Sequence, residues 1–205
     1  MRELTIEEFV EKTATEEPVP GGGSVSAVCG AMSASLTMMV ANLTIGKKKY
    51  QTVSKEMEEI LSEASLLKNN LLDLIQQDCE AFEKVMAALA LSKETEEEKA
   101  TRKESLERAL KKAAEVPYLI AEKSYQVMPL AKKAVLYGNQ NAITDGLISA
   151  MTARTAVLAA LLNVRINLKS IRDVDYNEIF RKKVEVLENK TVKMEEEIRK
   201  VAGKI

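Results

Sequence analysis

The sequence predicts an all-α bundle of about six helices, some of them long and kinked, and three observations carry that reading. Apolar residues recur at helical spacing along almost the whole chain, and no stretch alternates in the way a half-buried strand requires. The breaks between periodic stretches are short runs of Gly, Pro, Asn and Ser. At 205 residues, 46% hydrophobic and 30% charged, the composition is that of a single globular domain covering 1–205.

Leu4 to Thr13 reads as a short amphipathic helix. The segment Pro18-Val19-Pro20-Gly21-Gly22-Gly23-Ser24 then feeds a helix from Ser24 to Ile45 that contains no charged residue, with Ser24 as its expected N-cap. From about Thr52 to Ala90 the apolar positions Met57, Leu61, Ala64, Leu67, Leu71, Leu74, Phe82 and Val85 follow a helical period. Ser92 to Lys99 is a charged turn in which Thr95 caps the next helix, Thr95 to Tyr137. Pro117 and Pro129 are expected to kink or divide it, because each lacks a backbone N–H. After the break Gly138-Asn139-Gln140-Asn141, the stretch Asn141 to about Ser170 is apolar almost all round and belongs at the centre. Asp175 to Lys200 closes the bundle as a charged amphipathic helix.

Composition excludes several roles. Thirty Lys and Arg against 31 acidic residues give no field that favours nucleic acid, and 4% aromatic residues leave few platforms for bases. Ser24 to Ile45 has the length of a membrane span, but four serines, two threonines and an asparagine dilute it. The segment Arg2 to Glu17 is acidic and lacks the basic-then-apolar pattern of a signal peptide, so a soluble cytoplasmic protein is expected. Cys29 and Cys79 form no metal or CxxC pattern and read as buried reduced thiols. There is no histidine, so proton transfer falls to Asp, Glu, Lys, Tyr or water. No metal site and no tightly bound cofactor are expected.

Size adds an expectation of self-association. A helix of about 38 residues runs roughly 57 Å at 1.5 Å per residue. A compact chain of this length has a radius of gyration of roughly 17 Å, a sphere only about 43 Å across. Long helices then protrude with their apolar stripes uncovered. A homodimer covers them; an elongated monomer with a kinked helix is the other solution.

Four groups of residues are candidates for chemistry. The run Gly21-Gly22-Gly23 with Ser24 is either a packing hinge or a cradle whose peptide N–H groups, at a helix start, attract anions or carbonyl oxygens. Asp78 sits on the apolar stripe of its helix, as a structural carboxylate bonded to a neighbour or as a catalytic group. Asp145 lies in the first turn of the central helix, after Asn139 and Asn141, where the helix dipole alone accounts for a carboxylate. Its apolar helix, however, should open that turn into the bundle. Lys47, Lys48 and Lys49 are a solvated helix end or a clamp for carboxylates, while Arg154 and Arg165 need acidic partners.

These blocks together resemble the formiminotetrahydrofolate cyclodeaminase family. The resemblance rests on Pro18 to Ser24, Leu43 to Tyr50, Asp78 to Phe82, Gly138 to Asp145 and Ala160 to Leu168, in order and over nearly the whole chain. It implies an all-helical dimeric domain acting as a lyase on 5-formiminotetrahydrofolate, giving 5,10-methenyltetrahydrofolate and ammonia. Some relatives look instead like methenyltetrahydrofolate cyclohydrolases. In animals the domain is fused to a formiminotransferase, for which 205 residues leave no room. On this basis Asp145 is expected to transfer the proton, with Asp78 as its partner or as orienter of the pterin, and a buried pair of this kind splits in pKa. Gly21 to Ser24 would hold the pterin or its carbonyl, Asn139 and Asn141 would bind substrate, and Lys47 to Lys49 would hold the glutamate tail of a polyglutamylated folate. A cyclohydrolase and a non-enzymatic folate-binding or scaffold dimer are the alternatives.

Overall fold

The computed structural model describes residues 1–203 and contains six α-helices, with no strand among the described residues. They are α1 (Ile6–Thr13), α2 (Gly22–Asn42), α3 (Ser54–Ala90), α4 (Glu96–Tyr137), α5 (Ile143–Leu168) and α6 (Val174–Ala202). Two short 3₁₀ segments, Lys48–Val53 and Gln140–Ala142, lead into α3 and α5. Thr95 caps α4 as expected and forms a capping box with Glu98; Thr5 and Glu8 do the same for α1.

α2 and α5 are apolar and long enough to cross a bilayer, yet here they pack side by side in the bundle. α3 lies against α2, α6 against α5, and α4 touches all four. Small residues let α2 and α5 approach closely, and buried hydroxyls stitch the contact. Ser33 Oγ donates to the Ser149 carbonyl at 2.8 Å, and Ser149 Oγ donates back to the Ser33 carbonyl at 2.8 Å. Thr37 Oγ1 lies 2.8 Å from Ser149 Oγ, so this polar cluster is satisfied. The two helices run antiparallel, because Ser149 near the start of α5 meets Ser33 and Thr37, whereas Gly22 at the start of α2 meets Asn163.

One alternative is settled and one expectation is corrected. Of kinking and dividing, the prolines do not divide α4: it runs unbroken through Pro117 and Pro129. A proline at 117 leaves the Ala113 carbonyl without its N–H partner. The Asn167 side chain of α5 supplies the replacement, donating from Nδ2 to Ala113 O at 2.6 Å. The correction concerns α2, which begins at Gly22 with Gly21 as N-cap, so Ser24 is not the cap. The start moves upstream because glycines at 22 and 23 can enter the helix, and an acceptor from α3 takes over the capping role.

The arginines of α5 find their acids on α6. Arg154 Nε pairs with Glu195 Oε2 at 2.8 Å, and Arg165 Nη2 with Glu188 Oε2 at 2.5 Å. Both cations therefore turn toward α6. α3 and α4, of 37 and 42 residues, are joined at Leu91–Thr95 as a hairpin. Met86, Leu89 and Leu91 near its tip are exposed.

The Asn167–Ala113 bond yields a double-mutant test. Asn167→Ala should destabilise the protein by about 1–3 kcal/mol, the cost of an unpaired buried acceptor. In a Pro117→Ala background the restored N–H can take the Ala113 carbonyl, and the same change should cost less than about 1 kcal/mol. Denaturant melts of the four proteins check this; equal costs in both backgrounds would detach the asparagine from the proline.

Candidate active site

The N-terminus of α2 is where sequence and geometry meet most closely. A helix start leaves its first N–H groups without partners, and Gly21 has no side chain to offer them. Asp78 of α3 reaches that end: Ser24 Oγ donates to Asp78 Oδ2 at 2.9 Å, and the Ser24 backbone beside the carboxyl favours its charged form. A Cβ on Gly23 would stand 2.2 Å from Asp78 Oδ1, so only glycine allows the helix to close on the carboxyl. Gly22 is exposed and faces the amide of Asn163, whose Nδ2 would lie 3.3 Å from a Cβ there. Cys79 Sγ sits 3.5 Å from Ser24 Oγ, and burial raises the pKa of both free thiols, Cys29 and Cys79.

Burial pushes the Asp78 pKa above the ordinary 3.8, against the opposing pull of the two Ser24 hydrogen bonds. Its half-buried carboxyl thus keeps a proton to higher pH than a free aspartate while still touching solvent on one side.

Asn163 and Phe82 were not among the expected site residues, although both lie in the blocks that carried the resemblance. Asn163 stands eighteen residues, five whole turns, after Asp145 on one edge of α5. That spacing was visible in the sequence. Phe82, one turn beyond Asp78, is partly exposed.

The remaining candidates gather at the other end of α2. Asn139 N–H donates to Thr44 Oγ1 at 2.8 Å, its Nδ2 donates to Leu43 O at 3.1 Å, and its Oδ1 accepts from the Asn141 N–H at 3.2 Å. Asn139 is thereby engaged in holding the α4–α5 loop to the end of α2, and Asn141 lies exposed beside it. Tyr50 fixes the same loop, its Oη accepting from the Gln140 N–H at 3.1 Å. That bond, with Lys49 and Lys47 nearby, lowers the Tyr50 pKa. Lys47, Lys48 and Lys49 are exposed, and Asp145 is half-buried one turn before Ser149, with no hydrogen bond or ion pair among the described residues.

Asp78 and Asp145 are therefore not neighbours within one chain. The 21 residues of α2 separate the glycine run from the lysines by about 31 Å, and Asp145 lies about 27 Å along α5 from Asn163. Hollows of about 710, 730 and 570 Å³ open elsewhere, around the α3–α4 hairpin and the α5–α6 loop, with Lys103, Arg108, Lys111 and Arg172 in their walls.

The α2 helix start therefore closes on a half-buried carboxyl within an all-helical fold. The chain belongs to the formiminotransferase-cyclodeaminase family, whose model matches residues 5–186. It is 40% identical over 183 residues to a methenyltetrahydrofolate cyclohydrolase of Methylorubrum extorquens, covering 89% of this chain and 88% of that one. It is 30% identical over 185 residues to the rat formimidoyltransferase-cyclodeaminase, spanning 90% of this chain but only 34% of that larger protein. The solved formiminotetrahydrofolate cyclodeaminase of Thermotoga maritima superposes with a TM-score of 0.87 at 34% identity, over 98% of this chain and 96% of that one. The chain is thus an enzyme of the folate cyclodeaminase and cyclohydrolase family.

Two measurements test the local geometry. Gly23→Ala forces the carboxyl aside and should cost about 1–3 kcal/mol, the range for overpacking, whereas Gly22→Ala should cost less than about 1 kcal/mol. Equal effects in thermal melts would mean that Asp78 does not sit against Gly23. The raised Asp78 pKa has a definite sign: above 3.8 the unfolded aspartate loses its proton before the folded one, so stability falls as pH rises through that window. Asp78→Asn removes this contribution, and its stability relative to wild type should climb as pH rises from below 3.8 toward neutrality. A relative decline would show that the helix N-terminus outweighs burial.

Proposed function

We propose that the protein closes the one-carbon unit between N5 and N10 of tetrahydrofolate, converting 5-formiminotetrahydrofolate to 5,10-methenyltetrahydrofolate and ammonia. The observation that carries this reading is the carboxyl of Asp78, held half-buried beside the N-terminus of α2, where burial raises its pKa. N10 attacks the formimino carbon and gives up its proton, forming a tetrahedral centre. The departing nitrogen must gather two protons: one is that surrendered by N10, the other comes from a carboxyl acid. A carboxyl whose pKa is raised by burial suits this task.

The residues around Asp78 suit a pterin. The free edges of Gly21 and Gly22, with the Asn163 amide, offer donors and acceptors to its polar edge, and Phe82 offers a ring face. Asp145 is proposed as the group that takes the N10 proton, and Lys47 to Lys49 as the anchor of the glutamate tail. Both then have to reach a substrate seated about 30 Å away in the same chain. A homodimer in the cytoplasm is part of the proposal.

A cyclohydrolase is favoured by one observation, the 40% identity to the Methylorubrum enzyme over nearly the full length of both chains. In that reaction the same methenyl carbon takes up water, and a carboxylate acts as base.

Purified protein mixed with 5-formiminotetrahydrofolate should raise methenyl-folate absorbance and release ammonia in step. Asp78→Asn and Asp145→Asn should each slow this by roughly 100-fold or more, the scale of lost acid–base catalysis. If only added methenyl-folate is consumed, the protein is a cyclohydrolase. Folded aspartate variants with normal turnover would remove those residues from the mechanism.

A further inference from the structure

From the hollow between the α3–α4 hairpin and the α5–α6 loop we infer a second binding site, for a small organic polyphosphate such as a nucleoside triphosphate. It stands apart from the proposed folate chemistry: Leu89 in its wall lies eleven residues, about 16 Å, along α3 from Asp78.

Charge picks this hollow out. Its volume is about 570 Å³, within the range of small-molecule sites. Five cations line it: Lys93 from the turn, Lys99, Arg102 and Lys103 from the start of α4, and Arg172 from the α5–α6 loop. Glu107 is the single carboxylate among the lining residues, and both its oxygens are engaged by the loop. They accept from the Arg172 peptide N–H at 3.0 and 3.3 Å and from the Asp173 N–H at 3.1 Å. Lys99 pairs with Glu96 at 2.7 Å, but Lys93, Arg102, Lys103 and Arg172 have no ion pair among the described residues. The two adjoining hollows differ, because Arg108, Lys111 and Lys112 there are matched by Glu104, Asp173 and Glu115. The whole chain carries a net charge of -1, so this positive excess is local.

The walls are also ordered. Arg102 is half-buried and donates from Nε and Nη2 to the Leu89 carbonyl at 3.3 and 2.9 Å, which leaves the other N–H groups of its fork for a ligand. Glu107 fixes the backbone of Arg172 against α4. Three elements thus hold like charges around one space, an arrangement that repels itself until an anion enters. Four unpaired cations call for three or four negative charges in one compact group. A polyphosphate carries them; a mono- or dicarboxylate does not. Val85, Leu89, Leu106 and Leu110 supply an apolar part of the wall, which an inorganic ion leaves in water and an organic body covers.

Calorimetric titration of the full chain with ATP, at low salt and without magnesium, should show one saturable site per chain. Tripolyphosphate should bind about 10-fold more weakly, the loss for leaving roughly 60 Å² of apolar surface wet. Equal affinities would overturn an organic ligand. Lys103→Glu with Arg172→Glu should weaken ATP binding by about 100-fold or more, with the helical circular dichroism spectrum unchanged. Both side chains are exposed, so the fold does not depend on them. The milder pair Lys103→Gln with Arg172→Gln should weaken binding about 10-fold, and it serves if charge reversal unfolds the protein. No saturable ATP binding, or binding that folded variants leave unchanged, would overturn the site. Displacement of ATP by polyglutamylated 5-formyltetrahydrofolate would give the hollow to the folate and overturn it too. Folate turnover does not enter these measurements, so a failure of the proposed function leaves their result standing.

Discussion

The contact between Asp78 and the first turn of α2 sets the terms for the rest of the molecule. Unpaired N–H groups at a helix start demand an acceptor, and the glycine cap brings none. A carboxyl from α3 meets the demand, which ties α2 to α3, excludes any side chain at Gly23 and turns Ser24 inward. Burial at this place raises the Asp78 pKa, while the Ser24 hydrogen bonding pulls it down. In the proposed reading the carboxyl that serves the helix start also supplies the acid.

The pairing of α2 with α5 follows from residue size. Alanine, serine and glycine let two helices without charge lie close, and the reciprocal Ser33–Ser149 bonds with Thr37 fix their relative height. That height places Asn163 beside Gly22 and leaves Asp145 near the far end of α2. α6 then serves α5 by neutralising Arg154 and Arg165, which keeps the outward face free of charge.

Much of this was legible in the sequence. Helix number and order followed from periodicity, and Thr95 announced its capping box. The homologous blocks named the family and included Asn163 and Asn167, but a block does not say what each residue touches. Pro117 showed why: its effect on α4 depends on Asn167, fifty residues away on another helix, and no local rule contains that hydrogen bond. Ser24 failed as a cap for the same reason, because its partner lies in α3. Asp78 and Asp145 read as a pair only while the chain was a string of motifs. The antiparallel run of α2 and α5 puts them at opposite ends, a fact of tertiary geometry that spacing within either helix cannot express.

The central claim is that Asp78 and the α2 N-terminus form the pterin end of a folate site. A crystal structure with bound 5-formyltetrahydrofolate, whose one-carbon group cannot be released as ammonia, tests it most directly. The account predicts the pterin against Gly21 to Ser24 with its formyl carbon beside the Asp78 carboxyl. A ligand seated instead in the basic hollows of the α3–α4 hairpin, with Asp78 untouched, would contradict it.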